Sequence, residues 1–244
     1  MIKILFQGDS ITDGNRLKDP ASRWDLNHQI GHSYVFPIVG TLGRKYPGKF
    51  QFVNRGLSGD HVKSIAARWQ TDTLDECPDV LSMLLGINGN RFPDNRQLYE
   101  GTPEEIEENL REFDEGYRRL LDSVLAQKPG TKLILIEPFS LPVGAYKVHY
   151  EGLLPIFPKK QEMVRRIAED YGAVWIPVQK TLNRLVEETA AVFARDGIDL
   201  DPMAYWLWDG VHPTEPMHCV IADLWLAGAA DLLNGLLSGQ LNSD

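Results

Sequence analysis

Short apolar runs alternate with longer amphipathic stretches along the whole chain. The runs at 2–6, 50–53, 80–85, 133–136 and 173–176 each have the length of a buried strand, with enough residues between them for a crossover helix. This pattern predicts a parallel sheet covered by helices on both faces. The clearest helix signal follows Thr102, an N-cap threonine with Pro103 at the first helical position and Glu105 at the third. Ile106, Leu110, Phe113, Tyr117, Leu121 and Val124 then recur at three- and four-residue steps until Lys128-Pro129-Gly130 stops the helix. Further helices are predicted at about 154–171 and 178–194, and a last one from about 214 carries Val220, Ile221, Leu224, Trp225, Ala229, Leu232 and Leu233. No repeat, low-complexity tract or linker interrupts the series, so 1–244 reads as a single domain. Two stretches break the alternation: 13–31 is polar and irregular, and 196–213 is loop-like and aromatic. Long loops in a compact α/β domain more often carry function than not.

Composition narrows the classes. The 244 residues are 43% apolar and 24% charged, which is ordinary globular usage. The net charge of −9, with no long Lys/Arg run, argues against a nucleic-acid binder, whose affinity rests on clustered cations. It also disfavours recruitment to anionic membranes. Cys77 and Cys219 stand far apart in no metal-ligand spacing, and read as reduced packing residues. No His/Asp/Glu cluster has ligand spacing, so no metal is expected. The apolar run at the N-terminus is too short for a signal peptide, and no stretch is long enough to span a bilayer; the expectation is a cytoplasmic protein with no membrane partner.

The first predicted strand runs directly into Gly8-Asp9-Ser10-Ile11-Thr12, which puts Ser10 at the carboxyl end of a strand, where open α/β sheets place their sites. Ser10 could equally cap the following helix. With Thr12 in place of a second glycine this is not a G-x-S-x-G elbow, and it lacks the glycines and lysine of a phosphate loop. A serine nucleophile needs a base. Of the six histidines, His212 lies in Trp208-Asp209-Gly210-Val211-His212-Pro213, with a carboxylate three residues before it in a Gly/Pro turn. That spacing lets Asp209 reach one ring nitrogen while the other faces a serine; the competing reading is a turn-stabilising aspartate beside a surface histidine. Acyl transfer also needs hydrogen-bond donors aimed at the developing oxyanion, each worth roughly 2.7–4 kcal/mol. The second strand leads into Asn54-Arg55-Gly56-Leu57-Ser58-Gly59-Asp60 and the third into Gly86-Ile87-Asn88-Gly89-Asn90, which offer a glycine N–H and the Asn88 amide at successive strand ends. Gly and Asn are also the usual turn formers.

These four ordered blocks, Gly8-Asp9-Ser10, Asn54 through Gly59, Gly86-Ile87-Asn88, and Asp209 with His212, resemble those of the SGNH (GDSL-type) hydrolases over nearly the whole chain. The resemblance implies a three-layer α/β/α flavodoxin-like fold with a five-stranded parallel sheet of order 2-1-3-4-5. It also implies a serine esterase without cofactor, in which Ser10 is the nucleophile, His212 the base and Asp209 its orienting partner. The Ser10 and Gly59 N–H groups and the Asn88 side chain would form the oxyanion hole, with Gly56 a competing candidate in its block. Two positions depart from the family pattern: Gly89 follows Asn88 where aspartate is common, and Ile11 stands where many members have leucine.

The segments 6–16, 54–63, 80–90 and 206–213 look most similar to the acetylxylan-esterase-like, carbohydrate acetylesterase branch of that family. The implied partner is a small ester, an acetylated sugar. Asp9, Trp24, Phe92 and Trp208 are the expected substrate contacts, with Tyr205 and Trp206 nearby; these aromatics serve as well for core or loop anchors. The irregular segments 13–31 and 196–208 are expected to wall the pocket. Two other readings stay open: a lysophospholipase or thioesterase acting on longer chains, and a non-catalytic module that binds a small ligand such as a mononucleotide. The apolar final helix and loop aromatics would suit a homo-oligomer or a monomer's core.

Overall fold

The computed structural model describes residues 1–19 and 29–241. Five strands, β1 (Ile2–Gly8), β2 (Phe50–Asn54), β3 (Val80–Leu84), β4 (Lys132–Ile136) and β5 (Val174–Ile176), form one sheet of order β2-β1-β3-β4-β5. All neighbours are parallel, as the expected doubly wound topology requires. The bounds lie within two residues of the apolar runs. β1 is the longest because Gln7, polar and fully buried, is paired: its Nε2 donates to Thr73 Oγ1 at 2.8 Å and its Oε1 accepts from Arg68 at 3.1 Å.

The central strands are apolar on both faces. Ile4 and Phe6 of β1, with Leu84, Ile134 and Ile136, pack under α2 (Val35–Lys45), α7 (Gln179–Asp196) and α9 (Glu215–Gly228). Leu5, Leu81, Met83, Leu133 and Leu135 point the other way, under α3 (Val62–Trp69), α4 (Pro103–Gln127) and α6 (Phe157–Asp170). Two cores on a period of two are what a sheet between helix layers demands. Trp225 is fully buried against Phe6 with ring centroids 5.6 Å apart, and its indole N–H is satisfied by Ser82 Oγ at 3.0 Å.

The remaining helices are α1 (Ser10–Asp13), α5 (Lys147–Leu153), α8 (Pro202–Trp206) and α10 (Ala230–Leu241). The capping box on α4 forms as the sequence predicts, Thr102 and Glu105 exchanging side-chain to backbone bonds at 3.2 and 2.8 Å. Two expectations are corrected. The helix expected from 154 begins at Phe157, because Pro155 has no N–H to continue the ladder from α5. The helix expected from 214 divides into α9 and α10, bent by 54°. The chain turns at Ala229 (φ −86°, ψ −2°), where Gly228 passes so close to Ile176 that a Cβ would lie 2.5 Å from it. Cys77 and Cys219, read as packing residues, are both exposed, one in the turn before β3 and the other on the outer side of α9. No single helix among the described residues is long and apolar enough to cross a membrane.

α9 is tied to the start of α2 by His218, whose Nδ1 accepts from the Tyr34 N–H at 3.0 Å. Burial lowers the His218 pKa to about 4, with opposing and reinforcing charges at Glu215 and His212. The folded state therefore refuses a proton that the unfolded chain accepts near pH 6.5. Stability should fall as pH drops from about 6.5 towards 4, by up to about 3 kcal/mol. In His218→Asn, which keeps an acceptor near the Tyr34 N–H, thermal denaturation should show a shallower decline of Tm over that window; equal slopes would assign the decline to other groups.

Candidate active site

The site is built on a corner that only glycine permits. β1 ends at Gly8, where a Cβ would fall 2.2 Å from Thr12 Oγ1 and 2.7 Å from the Leu84 carbonyl. The chain therefore turns at once into α1, with Asp9 as N-cap accepting from the Ile11 N–H at 3.0 Å. Ser10 is the first residue of this short helix, so its N–H has no intrahelical partner. Asp9 is fully buried, and burial, helped by the nearby Asp60 charge, raises its pKa to about 7. Expected at the substrate, Asp9 instead acts beneath the corner, out of reach of any ligand. At the other end of α1 the buried Asp13 accepts from Ser58 N–H at 3.0 Å and Ser58 Oγ at 2.9 Å, which anchors the loop after β2 to the serine corner.

His212 arrives from the opposite end of the sequence. A bridge between Leu207 and Pro213 closes the loop that carries it. The loop lies flat against 141–146: a Cβ on Gly210 (φ +93°) would come within 2.5 Å of the Val143 carbonyl, and one on Gly144 within 2.6 Å of Asp209 Cα. Leu141 N–H donates to Gly210 O at 2.9 Å and Tyr146 N–H to Asp209 O at 3.0 Å. Asp209 Oδ1 accepts from the Val211 and His212 N–H groups at 3.0 and 2.8 Å, and Oδ2 meets His212 Nδ1 at 2.7 Å. Burial pushes the Asp209 carboxyl up, but these bonds outweigh it and hold it below the ordinary range, so it is a carboxylate. A carboxylate at Nδ1 keeps the proton there and leaves Nε2 as acceptor, facing Ser10 Oγ at 2.7 Å. The Trp208 ring, 61% exposed, stacks on the imidazole at 5.8 Å and 21°.

The two glycines after β2 separate cleanly. Gly56 is buried against α1, where a Cβ would sit 2.5 Å from the Asp13 nitrogen, and its N–H is used by Asn54 Oδ1 at 2.9 Å. Gly59 (φ +84°) is exposed, with no atom within 4 Å of the place a Cβ would take. Asn88 adjoins it, its Nδ2 donating to the Asp60 carbonyl at 3.1 Å. Gly59 and Asn88 line a cavity of about 400 Å³ with Tyr146, His149 and Leu153. It continues past His61 and Arg91 into a cleft of about 600 Å³ that Phe92 and Phe113 line, Phe92 lying under the Arg96 guanidinium at 4.7 Å.

Among the described residues, which exclude 20–28 of the first expected segment, the walls differ in part from those expected. They come from 87–97 and 146–153, whereas the described parts of 13–31 line a separate cavity along β2, and 196–208 brings Trp208 beside His212. Trp206 is buried with its indole on Thr189 Oγ1 at 2.9 Å and Tyr205 packs on Phe193, so both are anchors. Trp24 lies outside the described residues. Lys160 went unnoticed in the sequence: it is 1% exposed on α6 and binds the turn carrying Asn88. Its signal was its place at the inward spacing of Phe157, Val164 and Ile167.

Residues 6–219 match the model of the GDSL-like lipase/acylhydrolase family. The chain is 33% identical over 226 residues to an acetylxylan esterase of Geobacillus stearothermophilus, covering 92% of each protein. The crystal structure of an acetylxylan esterase from that organism superposes with a TM-score of 0.64 at 27% identity, over 93% of both chains. A putative GDSL-like lipase from Parabacteroides merdae superposes with a TM-score of 0.75 at 27% identity, over 94% of this chain and 95% of that one.

The close approach at Gly210 gives a stability test. Gly210→Ala combines a positive φ with contact against two carbonyls, and should cost about 2–4 kcal/mol. Gly43→Ala on the exposed side of α2, with open space around it, should gain about 0.5–1 kcal/mol. Thermal unfolding of the two variants should move Tm in opposite directions.

Proposed function

The chain belongs to the GDSL-like lipase/acylhydrolase family and is a carboxylic ester hydrolase; from that premise we propose that it is a serine esterase that removes acetyl or other short acyl groups from an acetylated sugar or oligosaccharide. The observation that carries the proposal is the unbroken relay from Ser10 Oγ through His212 to Asp209, both hydrogen bonds being 2.7 Å. Ser10 Oγ attacks the ester carbonyl as its proton passes to His212 Nε2, and the Asp209 carboxylate stabilises the imidazolium. The tetrahedral oxyanion is received by the Ser10 and Gly59 N–H groups and the Asn88 amide. Collapse expels the sugar alcohol, which takes the proton from His212. Water then attacks the acyl-enzyme with His212 as base, and the carboxylic acid leaves.

The size of the acyl group follows from the walls. Tyr146 and Leu153 line the cavity beside Gly59 and Asn88 and also a smaller cavity of about 180 Å³, so they form the partition that a longer acyl chain would have to pass to enter the second space. Phe92 and Trp208 offer faces to a sugar on the open side, and the acetylxylan esterase relative supports a sugar ester.

Replacing Ser10 by Ala should lower kcat on p-nitrophenyl acetate by at least about 10⁴-fold, with only binding and the oxyanion donors left to act. An unchanged rate would end the esterase assignment to this serine and leave a ligand-binding module. Across p-nitrophenyl esters of rising chain length, kcat/KM should be greatest for acetate. A preference for octanoate would favour a lysophospholipase or thioesterase.

A further inference from the structure

Lys160 is a lysine where the core should hold an apolar side chain. It is 1% exposed, between Phe157 and Val164 on the inward side of α6, and among the described residues it makes no ion pair. A buried cation without a carboxylate is costly unless each of its donors is used. Here all three have acceptors in one turn: Nζ donates to Asn90 Oδ1 at 2.6 Å, Gly89 O at 3.3 Å and Asn88 O at 3.4 Å, and it lies over the Phe113 ring at 5.4 Å. Burial pushes the amine down to about 7.

The turn it grips is pinned at its far end by the Leu98 N–H on the Asn90 carbonyl at 2.8 Å and the Arg91–Gln97 bridge, which leaves Asn88 and Gly89 with fewer ties of their own. Gly89 (φ +77°) has no side chain, and a Cβ there would touch only His61. Asn88 has one side-chain bond, to the Asp60 carbonyl, and Asn90 links back to the Ile87 carbonyl at 2.6 Å. We propose that Lys160 is a positioning residue for ester hydrolysis: reaching from α6, its ammonium draws the carbonyls of Asn88 and Gly89 and the Asn90 side chain together and so holds the Asn88 amide where the oxyanion forms. The cross-link supplies from a distant helix the support that residue 89 cannot give from its own side chain. The inference rests on the esterase mechanism proposed above.

The test is a double-mutant cycle on p-nitrophenyl acetate, with each rate divided by the concentration of serine titrated by an organophosphate, so that loss of folded enzyme does not count as loss of catalysis. Lys160→Met keeps the packed stem and removes the donors. It should lower kcat by about 10- to 100-fold, with KM changed less than about threefold. Asn88→Ala should lower kcat by about 10²–10³-fold. In the double variant, adding Lys160→Met should cost less than about threefold more, because both changes act through one donor. A wild-type rate in Lys160→Met, or losses that multiply in the double variant, would overturn the inference. If Lys160→Met does not fold, the same cycle with Asn90→Ala, which removes the 2.6 Å acceptor, decides it by the same two outcomes. A wild-type protein without esterase activity would overturn the mechanism itself, which keeps the two failures distinct.

Discussion

The amide of Asn54 stands where three parts of the chain meet at the end of β2. Its nitrogen donates to the Thr12 and Ile30 carbonyls, both at 2.8 Å, and its oxygen accepts from the Gly56 N–H at 2.9 Å. The side chain is buried, so these groups have no water to turn to, and losing any of them strands a polar atom in the interior. The amide therefore fixes how closely the loop after β2 lies on α1. That distance places Ser58, the neighbour of Gly59, against Asp13 at the far end of the helix that Ser10 begins. The serine corner, the loop after β2 and the strands that present them share one buried hub.

Much of this was legible because it is local. Strands facing helices on both sides have to be apolar throughout, and the five apolar runs found them with errors only at the ends. Gln7 hid the last turn of β1, since its polarity is offset by Thr73 and Arg68, both more than 60 residues away. The Asp209–His212 pair was legible for the same reason: the two are three residues apart in a turn whose backbone N–H groups also hold the carboxylate. The pattern left Gly56 and Gly59 open as alternatives. Packing separates them: the Gly56 N–H is consumed by Asn54 beneath α1, while Gly59 is exposed with open space where a Cβ would stand.

What the sequence hid is what long-range packing decides. Among the described residues the cavity beside Gly59 and Asn88 is walled by the turn after β3 and by α5, whose approach depends on the placement of β4 and α6. Asp9 reads as a surface carboxylate beside a nucleophile, while the sharpness of the Gly8 corner buries it. Lys160 is the sharpest case: by residue type it belongs to water, by helical position to the core, and the turn around Asn88 settles the conflict.

The relay also has a consequence in time. Ser10 and His212 are 202 residues apart in sequence, so on the mechanism proposed above a chain emerging from the ribosome presents the serine long before its base is made. On that mechanism hydrolysis requires the docking of the last loop, so recovered activity during refolding would report that closure.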